Sequence, residues 1–125
     1  MTPGVVIPIG DYPKTKTTGR DHTGYPIYGM NGSDHLHLCE VMVGKAPHMI
    51  DGEVKEVECL VTAGDYVAVA CGTGYTVSEA CEEAYDLVKT IEIPESINVR
   101  DDVGERCKKQ IPELKKHGYM TDWRY

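Results

Sequence analysis

Two arginines, Arg100 and Arg106, stand in a stretch otherwise rich in acid, near Glu92, Glu95, Asp101 and Asp102. A guanidinium is planar, keeps its charge at any working pH and presents paired donors that fit phosphate or carboxylate oxygens. These two are therefore the candidates for binding an anion. The competing role is structural, with Arg100 paired to Asp101 or Asp102 and Arg106 laid along a helix.

Other reactive side chains point less clearly to chemistry. His35 and His37, two apart on a strand, share a face, and Asp34 or Glu40 could complete a nitrogen-oxygen metal site. No third His or Cys follows at a defined spacing, so the pair reads as solvated strand neighbours and no metal is assigned. The five cysteines, Cys39, Cys59, Cys71, Cys81 and Cys107, are odd in number and contain no C-x-x-C. That argues against a disulfide framework and a zinc finger. Most are expected to be buried thiols acting as small hydrophobes, and none carries a local mark of an activated nucleophile. Gly72-Thr73-Gly74 has the look of a phosphate loop but lacks its Gly-Lys-Ser/Thr ending, and reads as a strand-to-helix turn. No catalytic residue is assigned.

The elements that must position these groups belong to one domain, residues 1–125, with 41% apolar and 26% charged residues. A net charge of −7 disfavours nucleic acid as a partner. No run approaches the ~18 apolar residues of a membrane span, and no secretory signal pattern opens the chain. A cytoplasmic location without membrane contact is expected.

Val5 to Ile9 is a β-branched run whose Pro8 suits an edge or a strand end. Residues 10–34 read as loop. Leu36 to Val43 is strand-like, and Asp51-Gly52 marks a hairpin turn before Val57 to Val61. Gly64-Asp65 leads into a further strand, Tyr66 to Cys71, so the middle of the chain is expected to form an antiparallel meander. Thr76-Val77-Ser78-Glu79 is a capping box, and from it Val77, Ala80, Cys81, Ala84, Val88 and Ile91 recur at helical spacing. A second helix is expected after Asp102, capped by that residue, divided by Pro112 near Ile111 and stopped by Gly118. The fold class is α+β.

Three segments carry a family resemblance. Gly10-Asp11-Tyr12-Pro13, after an apolar strand, is similar to the Gly-Gly-Tyr-Pro loop opening the C-terminal domain of phosphoribosylamine-glycine ligases of the ATP-grasp class. Gly64 to Ala80 aligns without a gap to a family run, with Gly64, Val67, Gly74, Thr76, Glu79 and Ala80 matching. Arg100-Asp101-Asp102-Val103-Gly104-Glu105-Arg106 resembles the closing motif Arg-x-Asp-Ile-Gly-x-Arg. The likeness covers about residues 5–106 of this chain. Departures fall at Asp11, Lys14 and Tyr66, and Cys39-Glu40-Val41-Met42 stands where the family tends to have Phe-His-Ala-Gly.

The resemblance implies a small antiparallel barrel-like sheet with one or two helices, a rudimentary single-hybrid motif, packed beside the active site of a purine-biosynthetic ligase. It implies ligand contacts at Gly10, Tyr12, Pro13, Arg100, Asp102, Gly104 and Arg106. ATP and Mg²⁺ belong to the ATP-grasp part, whose phosphate and metal motifs are not recognisable in these 125 residues. Two functions follow: an accessory domain completed by an ATP-grasp subunit or domain, or a stand-alone binding module derived from it. In the second, sheet edges favour a homo-oligomer. The extra helical tail, residues 107–125, offers Tyr119, Met120, Trp123 and Tyr125 for contacts within or between copies.

Overall fold

The computed structural model describes residues 1–14, 21–96 and 99–124. Five strands and two helices follow in order: β1 (Gly4–Pro8), β2 (Leu36–Leu38), β3 (Val41–Ile50), β4 (Glu53–Thr62), β5 (Tyr66–Cys71), α1 (Val77–Thr90) and α2 (Glu105–Lys116). They form a three-stranded antiparallel sheet, order β1-β5-β2, and a two-stranded hairpin of β3 and β4. The α+β class holds, and the sheets stay open rather than closing into a barrel. Among the described residues no helix is long and apolar enough to cross a membrane.

The centre of the larger sheet is β5, whose Val67, Ala68 and Ala70 are completely buried. β1 lies at its edge, and the register shifts between Ile7 and Pro8, where proline has no donor to give the ladder. Alternation along β1 sends Val5 and Ile7 inward, and Ile9, which follows, is buried too. Ile7 and Ile9 join Ile27, Val67, Ala68, Ala70 and Ile93 in the main core.

Two expectations about the middle of the chain are corrected. Leu36 to Val43 is not one strand: it breaks at Cys39-Glu40, so that β2 and β3 lie in different sheets. Glu40 secures the break, its amide donating to Tyr66 O (3.0 Å) and its carboxylate accepting from the Tyr66 amide (2.7 Å). Nor do β4 and β5 continue a meander. The end of β4 is already occupied by residues 24–28, through Gly24 N to Thr62 O (2.7 Å), Thr62 N to Tyr25 O (2.8 Å) and Ile27 N to Leu60 O (3.0 Å). β5 therefore finds its partners in β1 and β2. The stretch from 21 to 34 is irregular as expected but is tied down by these bonds, while residues 15–20 of the expected loop lie outside the described residues.

The hairpin turn falls at Asp51 and Gly52, both with positive φ (52° and 80°), as a two-residue turn between right-twisted strands requires. α1 opens with the expected capping box: Glu79 N donates to Thr76 Oγ1, and Thr76 N to a Glu79 carboxylate oxygen, each at 3.1 Å. Val77, Ala80, Cys81 and Ala84 form its buried stripe.

α2 differs from expectation at its start and middle. Asp102 does not cap it, because that carboxylate is engaged by Arg100, and the helix begins after Gly104 in the left-handed region. Pro112 does not divide it. The missing N–H releases only the Lys108 carbonyl, while Ile111, 3% exposed, anchors the same turn against Val77 and Cys81. Gly118 ends the helix as expected: its amide donates to Lys115 O and that of Tyr119 to Leu114 O, a Schellman closure.

Gly72 is where β5 meets α1. A Cβ there would lie 2.0 Å from Ala80 O and 2.6 Å from Ala84 N, both backbone atoms that cannot rotate away. Gly72→Ala is expected to destabilise by at least the ~3 kcal/mol upper end of overpacking, whereas Thr76→Ala, losing one cap bond, should cost about 1 kcal/mol. Denaturant unfolding of the two variants checks this ranking; a smaller loss for Gly72→Ala would show that α1 does not pack so closely on β5.

Candidate functional site

The outward side of β1, carrying Gly4, Val6 and Pro8, forms the floor of a pocket of about 430 Å³. One wall comes from the turn that follows the strand. Gly10 adopts φ 62°, and its α-carbon lies against the ring of His22, where a Cβ would come within 2.2 Å of Cε1. The chain turns back there and brings Tyr12 and Pro13 over the pocket, with the Tyr12 ring 5.5 Å from that of Tyr66.

The opposite wall is Arg100 to Val103. Tyr85 of α1 pins it, donating its hydroxyl to Arg100 O (2.7 Å) and accepting from Val103 N (3.1 Å). Arg100 donates through Nε and Nη2 to the two carboxylate oxygens of Asp102, at 2.8 and 2.7 Å. The hydrogen bond from Arg100 holds the Asp102 carboxyl below the usual aspartate range, and the same bond raises the guanidinium. Both side chains are more than half exposed, so the pair contributes little to stability. It does fix the plane of the guanidinium. Two of its five N–H donors are used on Asp102, which leaves three for a ligand.

The pocket thus joins largely apolar walls to one oriented cation. It suits a molecule with an anionic group and a less polar body. Its described lining offers no imidazole or thiol, and the nearest carboxylate named here, Asp102, is engaged by Arg100.

Of the residues singled out in the sequence, Tyr12, Pro13 and Arg100 meet at this pocket, with Asp102 beside it and Gly10 shaping the turn. Gly104 is occupied by packing: a Cβ there would meet Cys81 Sγ at 2.4 Å. Arg106 is exposed on the first turn of α2 and does not line the pocket. His35 lies 3.4 Å from Glu83, whose carboxylate accepts from Thr73 N (2.6 Å) and Oγ1 (3.2 Å). The Thr73 amide bond holds the Glu83 carboxyl low. Gly72-Thr73-Gly74 is indeed the strand-to-helix turn, and its Thr73 amide already has an internal carboxylate. Among the described residues no group of three or more His, Cys, Asp or Glu is placed to hold a metal ion.

The cysteine expectation is corrected. Only Cys81 is buried, its thiol pushed up by that burial and bonded to Val103 O at 3.3 Å. Cys39 is exposed in the link between the two sheets and Cys107 on an outward turn of α2, while Cys59 and Cys71 are half-buried.

Sequence reasoning missed His22. It is 3% exposed, with Nδ1 2.9 Å from Asp65 Oδ1 and Nε2 4.0 Å from Glu95, and it supports the Gly10 turn from below. Its partner is 43 residues away, so no local pattern could have named it. Tyr85 was missed likewise, since its helix spacing shows no sign that its hydroxyl leaves the core to hold Arg100 and Val103.

Fold and pocket together define a small α+β domain that carries an oriented guanidinium, Arg100, at a largely apolar pocket. The chain is similar to the phosphoribosylamine–glycine ligases of Salmonella typhimurium and Salmonella typhi, at 33% identity over 104 residues in each. The match covers 83% of this chain and 21% of each ligase, so the chain spans about a fifth of the length of the curated relatives it matches. The resemblance carried by the three motifs therefore holds along most of the chain. No protein-family model and no solved structure matches it.

The Arg100–Asp102 pair makes a pH prediction with a definite sign. Because the folded carboxyl is depressed, its ion pairing is present above the ordinary value of 3.8 and is lost as pH falls through the lower folded value. Carboxyl NMR should place the Asp102 midpoint below 3.8 in the parent and move it up in Arg100→Gln. An unchanged midpoint in the variant would show that the pair does not form in solution.

Proposed function

We propose that this chain acts as an accessory domain of a phosphoribosylamine–glycine ligase-like ATP-grasp enzyme, completed by an ATP-grasp partner. In such a ligase a carboxylate is activated as an acyl phosphate and captured by an amine. On this reading the partner supplies ATP, Mg²⁺ and the reacting centre in the cytoplasm. The present chain supplies a wall that takes the anionic end of a substrate at Arg100. One observation carries the reading: two of the resembling segments, distant in sequence, converge through Tyr12, Pro13 and Arg100 on one pocket.

The proposal assigns the anion contact to Arg100 rather than Arg106. Inorganic phosphate, ribose 5-phosphate or a carboxylate should then raise the melting temperature progressively, by the equivalent of about 2.7 kcal/mol at a hundredfold excess over Kd. Chloride at equal ionic strength should not. Arg100→Lys keeps the charge but removes the fork, so it should abolish most of the ligand-specific shift while leaving the unliganded melting point nearly unchanged. Arg106→Lys should keep the shift. A parent chain indifferent to all three anions, or a shift lost with Arg106, would overturn the assignment.

The division of labour has its own test. Calorimetric titration of the chain alone with MgATP should give no micromolar binding, because no Lys-bearing phosphate loop or paired metal carboxylates are recognisable here. A micromolar dissociation constant would refute the accessory role.

A further inference from the structure

The hairpin of β3 and β4 is anchored at one end and bare at the other. Ala46 and Val61 are each 2% exposed, but at the tip Met49 and Val54, directly paired across the strands, are 70% and 67% exposed. A two-stranded ribbon is marginally stable by itself, and an exposed apolar pair at its end gains from burial. The ribbon is also acidic: Asp51, Glu53, Glu56 and Glu58 stand against Lys45 and Lys55.

On α2 lies a complementary surface. Met1, Val77, Ile111, Leu114, Met120 and Trp123 line an apolar groove of about 370 Å³, in which Leu114 and Trp123 remain 39% and 45% exposed. The helix and tail that carry it are basic in net charge, although Lys108 and Lys116 pair with Glu105 and Glu113. Residues 105–124 hold six Lys or Arg against three Asp or Glu, in a chain whose net charge is −7. Tyr125 lies outside the described residues. No hairpin residue lines the groove, so the tip is not seated there within one copy.

We propose that the tip of one copy's hairpin, led by Met49 and Val54, docks in the α2 groove of a second copy. Apolar surface meets apolar surface, and the acidic ribbon meets the basic helix, which steers and registers the encounter. If the exchange is reciprocal, both grooves fill and a two-fold dimer closes. The contact uses neither Arg100 nor its pocket, so it stands or falls separately from the ligase reading.

Sedimentation of the full chain is the test, with Met49→Asp altering only the tip and Leu114→Asp only the groove. Both sites are exposed, and circular dichroism with the melting temperature verifies that each variant folds. The parent should self-associate at micromolar concentration, and each variant should weaken that association about tenfold or more. Raising the salt concentration should weaken the parent in the same direction. A parent that stays monomeric at high micromolar concentration would overturn the proposal. So would an association sensitive to only one of the two substitutions, which would mean tip meeting tip or groove meeting groove.

Discussion

β5 has Val67, Ala68 and Ala70 wholly withdrawn from water, so its faces need cover and its two edges need strands. The chain meets both demands with distant pieces, β1 on one edge and β2 on the other. The cover requires α1 to come so near that only glycine fits at position 72. Much else follows. The end of β4 is held by residues 24–28, so β4 does not continue the sheet beside β5. Because β2 and β3 must serve different sheets, Glu40 secures the crossing with its own carboxylate.

The candidate pocket is a by-product of the same arrangement. Alternation along β1 sends Val5 and Ile7 into the core and leaves Gly4, Val6 and Pro8 on the other face, where they serve as a floor. What makes it a pocket is the pair of supports beneath the walls. His22 and Asp65 underlie the turn at Gly10, and Tyr85 reaches from α1 to hold Arg100 and Val103. These supports are buried or half-buried, whereas Arg100 is exposed. Rigid groups thus carry an accessible cation, the order of parts needed for binding with little reorganisation.

What was legible in the sequence was what short spacing encodes. The capping box at Thr76, the two-residue turn at Asp51, the edge character of Pro8 and the stop at Gly118 each depend on neighbours within a few residues. The strand break at Cys39-Glu40 was not legible, because strand-like composition continues on both sides of it and the decisive partner, Tyr66, is far along the chain. Pro112 misled for a related reason: its local cost is real, but Ile111 buries against Val77 and Cys81 and outweighs it. At the site, Arg100 and Tyr12 stood out by residue type, while His22 and Tyr85, which act through contacts far along the chain, carried no local signal.

Arg100 and Arg106 show why residue type alone does not define a site. Both belong to the same motif and have the same chemistry, yet Arg106 is exposed on the first turn of α2 and does not line the pocket, while Arg100 is held by Asp102 at its rim. That carboxylate acts in two ways. It orients the guanidinium by taking the side formed by Nε and Nη2, and it offsets most of the cation's attraction for a monovalent anion. On the proposed reading, a ligand must therefore gain from the remaining donors and from the apolar walls together. A phosphate, with more acceptor oxygens and more charge than chloride, does so better, and one joined to a sugar ring can also lie against Tyr12 and Val6.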